Sequence, residues 1–161
     1  MSGTLDRTFG EEPIPVPHKL QGSGSDSGNN YPPSGPVDGD RRRSLYLASR
    51  RNFPNTFLDV FDKPPPLGTF GRRDVSSVPT QALALLNDPF VAGQAKAWAE
   101  RITATKLSAA ERADRMFLEA FARTPTAAER EGALALVGSD SRGWADLALV
   151  LFNAKEFIHV P

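Results

Sequence analysis

From residue 76 onward, nearly every apolar stretch of this chain is introduced by a helix-start signal, and that succession constrains the fold more than any other feature. Ser76 or Ser77, ahead of Val78-Pro79, opens a short helix through TQALALL. Asn87-Asp88-Pro89 starts the next, with Asp88 as N-cap and Pro89 at the first helical position, where a missing N–H costs nothing. Val91, Gln94, Ala95, Trp98 and Ile102 then lie along one face. Ser108-Ala-Ala-Glu111 and Thr126-Ala-Ala-Glu129 are capping boxes, the second placed just after Pro125 ends the preceding helix. Asp140 or Ser141 opens the last helix, where Trp144, Leu147, Ala148, Leu149, Val150, Leu151 and Phe152 are apolar nearly all round and predict a central position. In VPTQALALLNDPFV the two helices are set at an angle, and Leu83, Leu86 and Phe90 are expected to turn inward. Asn153 is expected to close the last helix, with Phe157 and Ile158 packing back. The pattern predicts a mainly α fold, a small bundle of about four to five helices over residues 76–161.

The first 43 residues are different in kind. They hold seven Gly and six Pro, and through residue 40 two basic residues face six acidic ones. The run QGSGSDSGNNYPPSGPVDG (21–39) offers almost no side chain for a core, so it cannot offset its own ordering entropy. Residues 1–43 therefore read as an extended or disordered arm. MSGTLDRTFGEEPIPVPHKL has no basic region followed by an apolar one and is not a signal peptide.

Residues 44–75 form a basic connector. Across 41–73 eight basic residues (Arg41, Arg42, Arg43, Arg50, Arg51, Lys63, Arg72, Arg73) face Asp59 and Asp62. SLYLASRR suggests a short strand, with Leu45 and Leu47 on one side and Tyr46 on the other. NTFLDVFD suits one or two helical turns, which Pro64-Pro65-Pro66 ends.

Composition removes several chemistries. With no Cys the chain has no disulfide, thiolate metal site, iron–sulfur ligation, covalent haem attachment or Cys nucleophile. His18 and His159 lack an i+4 neighbour that would complete a metal pair. No G-x-S-x-G, G-x-G-x-x-G or phosphate-loop lysine is present. Asp38-Gly39-Asp40 and the Asp59/Asp62 pair lack the ligand spacing of a calcium loop and read as a turn and a solvated helix face. Trp98, Trp144, Phe117, Phe121 and Phe152 sit at core spacing. No segment approaches a membrane span.

The Arg-rich connector is the candidate site. Arg43, Arg50, Arg72 and Arg73 could grip an anion such as a phosphate or a sulfated or carboxylated polysaccharide. The plainer reading pairs these side chains with the acidic arm and with Asp59, Asp62, Asp74 and Asp88. On that reading, replacing Arg72 or Arg73 by alanine lowers stability. Zero net charge argues against nucleic acid. No residue combination marks a catalytic centre, a metal site or a cofactor.

Several strings together resemble a known family: LDRTFG (5–10), VDGDRRRSLYLASRRNF (37–53), VFDKP (60–64), GRRDVSSVPTQALALLNDPFV (71–91), FLEAFARTPTAAE (117–129) and LFNAKEFIHV (151–160). Their order is similar to the C-terminal part of the planctomycete surface or secreted protein domain called domain of unknown function fifteen fifty-three. The resemblance implies a large exported protein at the cell surface, in the periplasm or outside the cell. It places a second planctomycete domain upstream, often with a cytochrome-c-like domain beyond it. It brings no catalytic residue. Met1 falls inside the family pattern, so the chain reads as a truncated or split piece.

Three functional expectations follow. The first is a non-catalytic C-terminal structural or interaction module of a larger exported protein, with upstream domains as partners. The second is part of an exported enzyme acting on sulfated polysaccharide, with the Arg cluster as an anion-binding wall. The third, from the resemblance alone, is an adaptor that co-elutes with a c-type cytochrome domain.

Overall fold

The computed structural model describes residues 1–10, 12–17, 34–50, 53–64, 71, 79–138, 140 and 142–158. Within these, seven helices follow one another: α1 (Thr56–Val60), α2 (Pro79–Asn87), α3 (Pro89–Thr103), α4 (Ala109–Phe121), α5 (Ala127–Val137), α6 (Arg142–Asn153) and α7 (Lys155–Ile158). The chain divides into two compact units, Leu5–Gln81 and Met1–Thr4 with Ala82–Pro161. The fold is mainly α, as the spacing predicts. Ser76 and Ser77, Ser141, His18, His159 and most of the 21–39 run lie outside the described residues.

In the first unit two stretches of chain run side by side. Isolated parallel bridges join Asp6 to Arg42 and Ile14 to Leu47. Ile14 donates its N–H to the Tyr46 carbonyl at 2.8 Å and accepts from the Ala48 N–H at 2.8 Å. Ile14 and Val16 are buried. The strand expected at Ser44–Arg51 is not formed among the described residues: Ser44–Tyr46 is a 3-10 turn, and Leu47 enters only the single bridge. Pro13, Pro15 and Pro17 alternate with the pairing residues on the opposing stretch. They leave no donors for a third strand on its outer edge, and a lone two-stranded pairing is marginal in water. Arg42 stacks over the Tyr46 ring at 4.4 Å and donates from Nη2 to the Thr8 carbonyl at 3.0 Å. Asp38 caps its turn by accepting from the Asp40 N–H at 3.1 Å, as a turn-forming Asp does. Asn55 caps α1 by accepting from the Leu58 N–H at 3.0 Å, and the Gln81 amide donates to the Val60 carbonyl at 3.1 Å.

The second unit is the bundle. Asp88 accepts from the Phe90 N–H at 2.8 Å with Pro89 at the start of α3. Ser108 and Thr126 form both halves of their capping boxes. The Asp140 carboxylate accepts from the Arg142 N–H at 3.1 Å and opens α6. Asn153 ends that helix, its amide donating to the Leu149 carbonyl at 3.0 Å. α6 occupies the centre, packing on α3, α4, α5 and α7. Trp98 of α3 is completely buried and stacks on Phe152 of α6, ring centroids 5.5 Å apart. Val91, Ala95, Ile102, Ala113, Met116, Phe117, Trp144, Leu147, Ala148 and Leu151 complete the core. The first residues lie along α3: Thr4 donates to Gln94 Oε1 at 2.9 Å, and Arg101 Nε donates to the Met1 carbonyl at 2.9 Å.

Two expectations about inward faces are corrected. Leu83 and Leu86 are 56% and 50% exposed, whereas Leu85 is buried together with Gln81 one turn earlier. The break at Asp88-Pro89 restarts the helix, so the α3 stripe does not extend back in phase onto α2. Val150, counted with the all-apolar α6, is 53% exposed. It stands on an exposed side of α6.

Candidate functional site

The Val150 side of α6 forms one wall of an open groove of about 310 Å³ between α4, α5, α6 and α7. Its floor is apolar: Phe117 and Phe121 from α4, Ala133 from α5, Leu147 and Leu151 from α6. Leu136, 46% exposed, and Val150 stand at its lips. Gly132, in the middle of α5, leaves bare backbone there, and a Cβ at that position would meet nothing within 4 Å. The α5 stripe follows from spacing, since positions 129, 132, 133 and 136 share one face. On α6, 147, 150 and 151 do the same, and Ala154 follows just past its end.

One end of the groove is closed by a charged triad. Arg123 donates from Nη1 and Nη2 to Glu129 at 2.9 and 2.8 Å, and from Nε and Nη2 to Glu156 at 2.8 Å each. The guanidinium thereby ties α5 to α7 while resting near the Phe117 and Phe121 rings, 5.9 and 5.5 Å from their centroids. Glu129 serves twice, because the same carboxylate accepts the Thr126 N–H at 2.7 Å in the capping box. The hydrogen bonds from Arg123, reinforced by those from Thr126, hold the Glu129 carboxyl down at about 2. Bonding to Arg123 likewise lowers Glu156, and the two carboxylates raise Arg123. The triad is therefore fully ionised at neutral pH, and each charge has its partner inside the chain.

A second network lies between α3 and α4. Glu119 accepts the indole N–H of buried Trp98 at 2.9 Å, Arg115 Nε at 2.9 Å, and both terminal nitrogens of Arg101. Burial pushes the Glu119 carboxyl upward, but the donors from Arg101, Arg115 and Trp98 outweigh it, and the net shift is downward. Arg112 donates to the Thr103 and Thr105 carbonyls at 3.2 and 2.8 Å, satisfying the end of α3.

Of the expected anion-site residues, Arg43 precedes the Ser44–Tyr46 turn and Arg50 bridges to Phe53. Both are exposed, and among the described residues neither makes an ion pair. Arg72 and Arg73 lie outside the described residues. Among the described residues no group of three His, Cys, Asp or Glu is placed to hold a metal ion, and no helix is long and apolar enough to cross a membrane.

Sequence reasoning did not single out the groove. The signal available was the surplus of apolar residues on α6 beyond a single stripe, and that surplus was read there as burial on every side. Arg123, Glu129 and Glu156 were not joined because the last is 33 residues from the first.

The bundle is ion-paired and tightly capped, with an open apolar groove on its surface. Across residues 1–137 the chain matches the family described as PSD1, Protein of unknown function (DUF1553). The chain belongs to that family. Comparison with curated proteins gives no match, and comparison with solved structures gives none.

Proposed function

We propose that this chain is a non-catalytic structural and interaction module of a larger exported protein, and that the groove between α4, α5, α6 and α7 is its contact face. The observation that carries this reading is the groove's composition. Its floor and lips are apolar, and its charged residues are already satisfied by one another, so what it offers a partner is hydrophobic burial beside a fixed charge pattern. Membership of a family whose larger proteins, by resemblance, carry a further planctomycete domain upstream supplies the natural candidate partner.

The test is co-expression with that upstream domain. Leu136→Lys and Val150→Lys alter exposed side chains, so each variant should keep the wild-type urea midpoint while losing co-purification. Equal co-purification by wild type and both variants, or none by wild type, defeats the reading.

The exposure of Arg43 and Arg50, without ion pairs among the described residues, supports a second proposal, an anion-binding surface for sulfated polysaccharide. Binding to a sulfated glycan that is unchanged in the Arg43→Ala/Arg50→Ala double variant excludes it.

A further inference from the structure

We propose that the groove seats one short amphipathic helix of a partner protein, with an apolar stripe along one face and a basic residue at the end that meets the Arg123, Glu129 and Glu156 triad. The proposal rests on the interaction reading above and adds the chemistry of the occupant.

Shape is the first argument. Along α6 the wall runs over the eight residues from Leu147 to Ala154, just past the end of the helix. Eight residues of helix rise about 12 Å, so the wall matches roughly two turns of an opposing helix. The groove is open, and its volume lies at the lower end of the range for sites that enclose a small molecule. Such a trough receives side chains projecting at helical spacing, the arrangement of helix-in-groove recognition.

Gly132 is an independent observation. Glycine weakens a helix interior relative to alanine. Nothing in this chain compensates, since a Cβ at 132 would stand in open space. Bare backbone at the middle of the α5 wall lets a second helix approach closely, which any larger side chain would prevent.

Charge selects one flank. The lining charges are one arginine, Arg123, and two carboxylates, Glu129 and Glu156, which leave one net negative charge at that end. A helix with a basic residue at that end complements this charge, and one with an acidic residue there meets repulsion. The same pattern disfavours a second copy of this chain as occupant. Its exposed apolar helix, α2, presents Leu83 and Leu86 but carries no charged residue over Pro79–Asn87.

The test titrates the full chain with two labelled peptides of about fourteen residues, long enough for some four turns. Both carry the same leucine stripe; one has lysine at its ends and the other glutamate. Saturable binding of the lysine peptide is expected, with the glutamate peptide at least about tenfold weaker, and with the difference shrinking as salt rises. Gly132→Leu fills the open space and should weaken the lysine peptide by more than about tenfold while leaving the urea midpoint unchanged or raised. No saturable binding, equal binding of the two peptides, or wild-type binding by Gly132→Leu overturns the proposal. Concentration-dependent self-association abolished by Gly132→Leu overturns it too, in favour of a second copy. Co-purification with the upstream domain that depends on Leu136 and Val150, alongside failure of the lysine peptide, leaves the interaction reading standing and removes only the helical occupant.

Discussion

Replacing Gly143 by alanine should destabilise the bundle, although helix propensity alone argues the opposite. Gly143 is the second residue of α6 and is buried. A Cβ there would stand 2.3 Å from the Val137 carbonyl oxygen, 2.6 Å from its Cα and 2.8 Å from its carbonyl carbon. These are backbone atoms at the end of α5, so no side-chain rotation relieves the clash. Overpacking of this kind costs about 1–3 kcal/mol. Removing a glycine from a helix returns at most about 1 kcal/mol, and less near a helix start. The net loss should be about 1–2 kcal/mol, roughly 4–16 °C in Tm for a unit of this size. Gly93→Ala and Gly132→Ala are the internal controls. Both sites are exposed helix-interior positions with nothing within 4 Å of a new Cβ, and each should gain about 0.5–1 kcal/mol. The assay is urea unfolding followed by circular dichroism and by the fluorescence of Trp98 and Trp144, both buried. Opposite shifts in midpoint at constant slope are expected. A Gly143→Ala midpoint equal to or above wild type refutes the close packing of the α5–α6 turn on which the groove geometry depends.

Glu119→Leu should cost more than Glu119→Gln in the same assay, because leucine leaves the buried Trp98 N–H without an acceptor, a loss of about 1–3 kcal/mol, while glutamine retains one. Equal losses would show that the Trp98 bond contributes nothing. Acidification should weaken the bundle with a definite sign. Glu129, Glu119 and Glu156 are all depressed below their ordinary 4.5, so the stability they confer is complete above that value and is lost as pH falls toward the folded value, about 2 for Glu129. Urea midpoints at pH 7, 4 and 3 should therefore fall, and Glu129→Gln should show a smaller fall; an equal fall would separate Glu129 from the effect. Ala122 ends α4 in the left-handed region at φ 57°, accepted there only at a steric cost. Ala122→Gly should raise stability by about 0.5–1 kcal/mol, read as a higher midpoint at constant slope, and a lower midpoint would show that its side chain makes a contact outweighing the strain.

Much of the bundle was legible from local chemistry. Asp88 with Pro89, and the Ser108–Glu111 and Thr126–Glu129 boxes, act over a few residues, so the sequence around each is sufficient to place the helix start. The core aromatics were legible for the same reason, since spacing alone assigns Trp98, Phe117 and Phe152 to a helix face. The strand expected at 44–51 was not, because pairing depends on a distant partner, and the Pro13, Pro15 and Pro17 stretch limits that pairing to isolated bridges.

Helix identity, capping and the apolar stripes were set by the sequence acting on itself, because those interactions close within one or two turns. Which apolar residues ended up exposed was decided only by tertiary packing. Leu83, Leu86, Leu136 and Val150 are as apolar as their buried neighbours, and only how the folded chain packs around them leaves them exposed. The Arg123 triad has the same origin: one guanidinium reaches carboxylates on two helices because the chain folds back at Ala154, a meeting that no local pattern encodes.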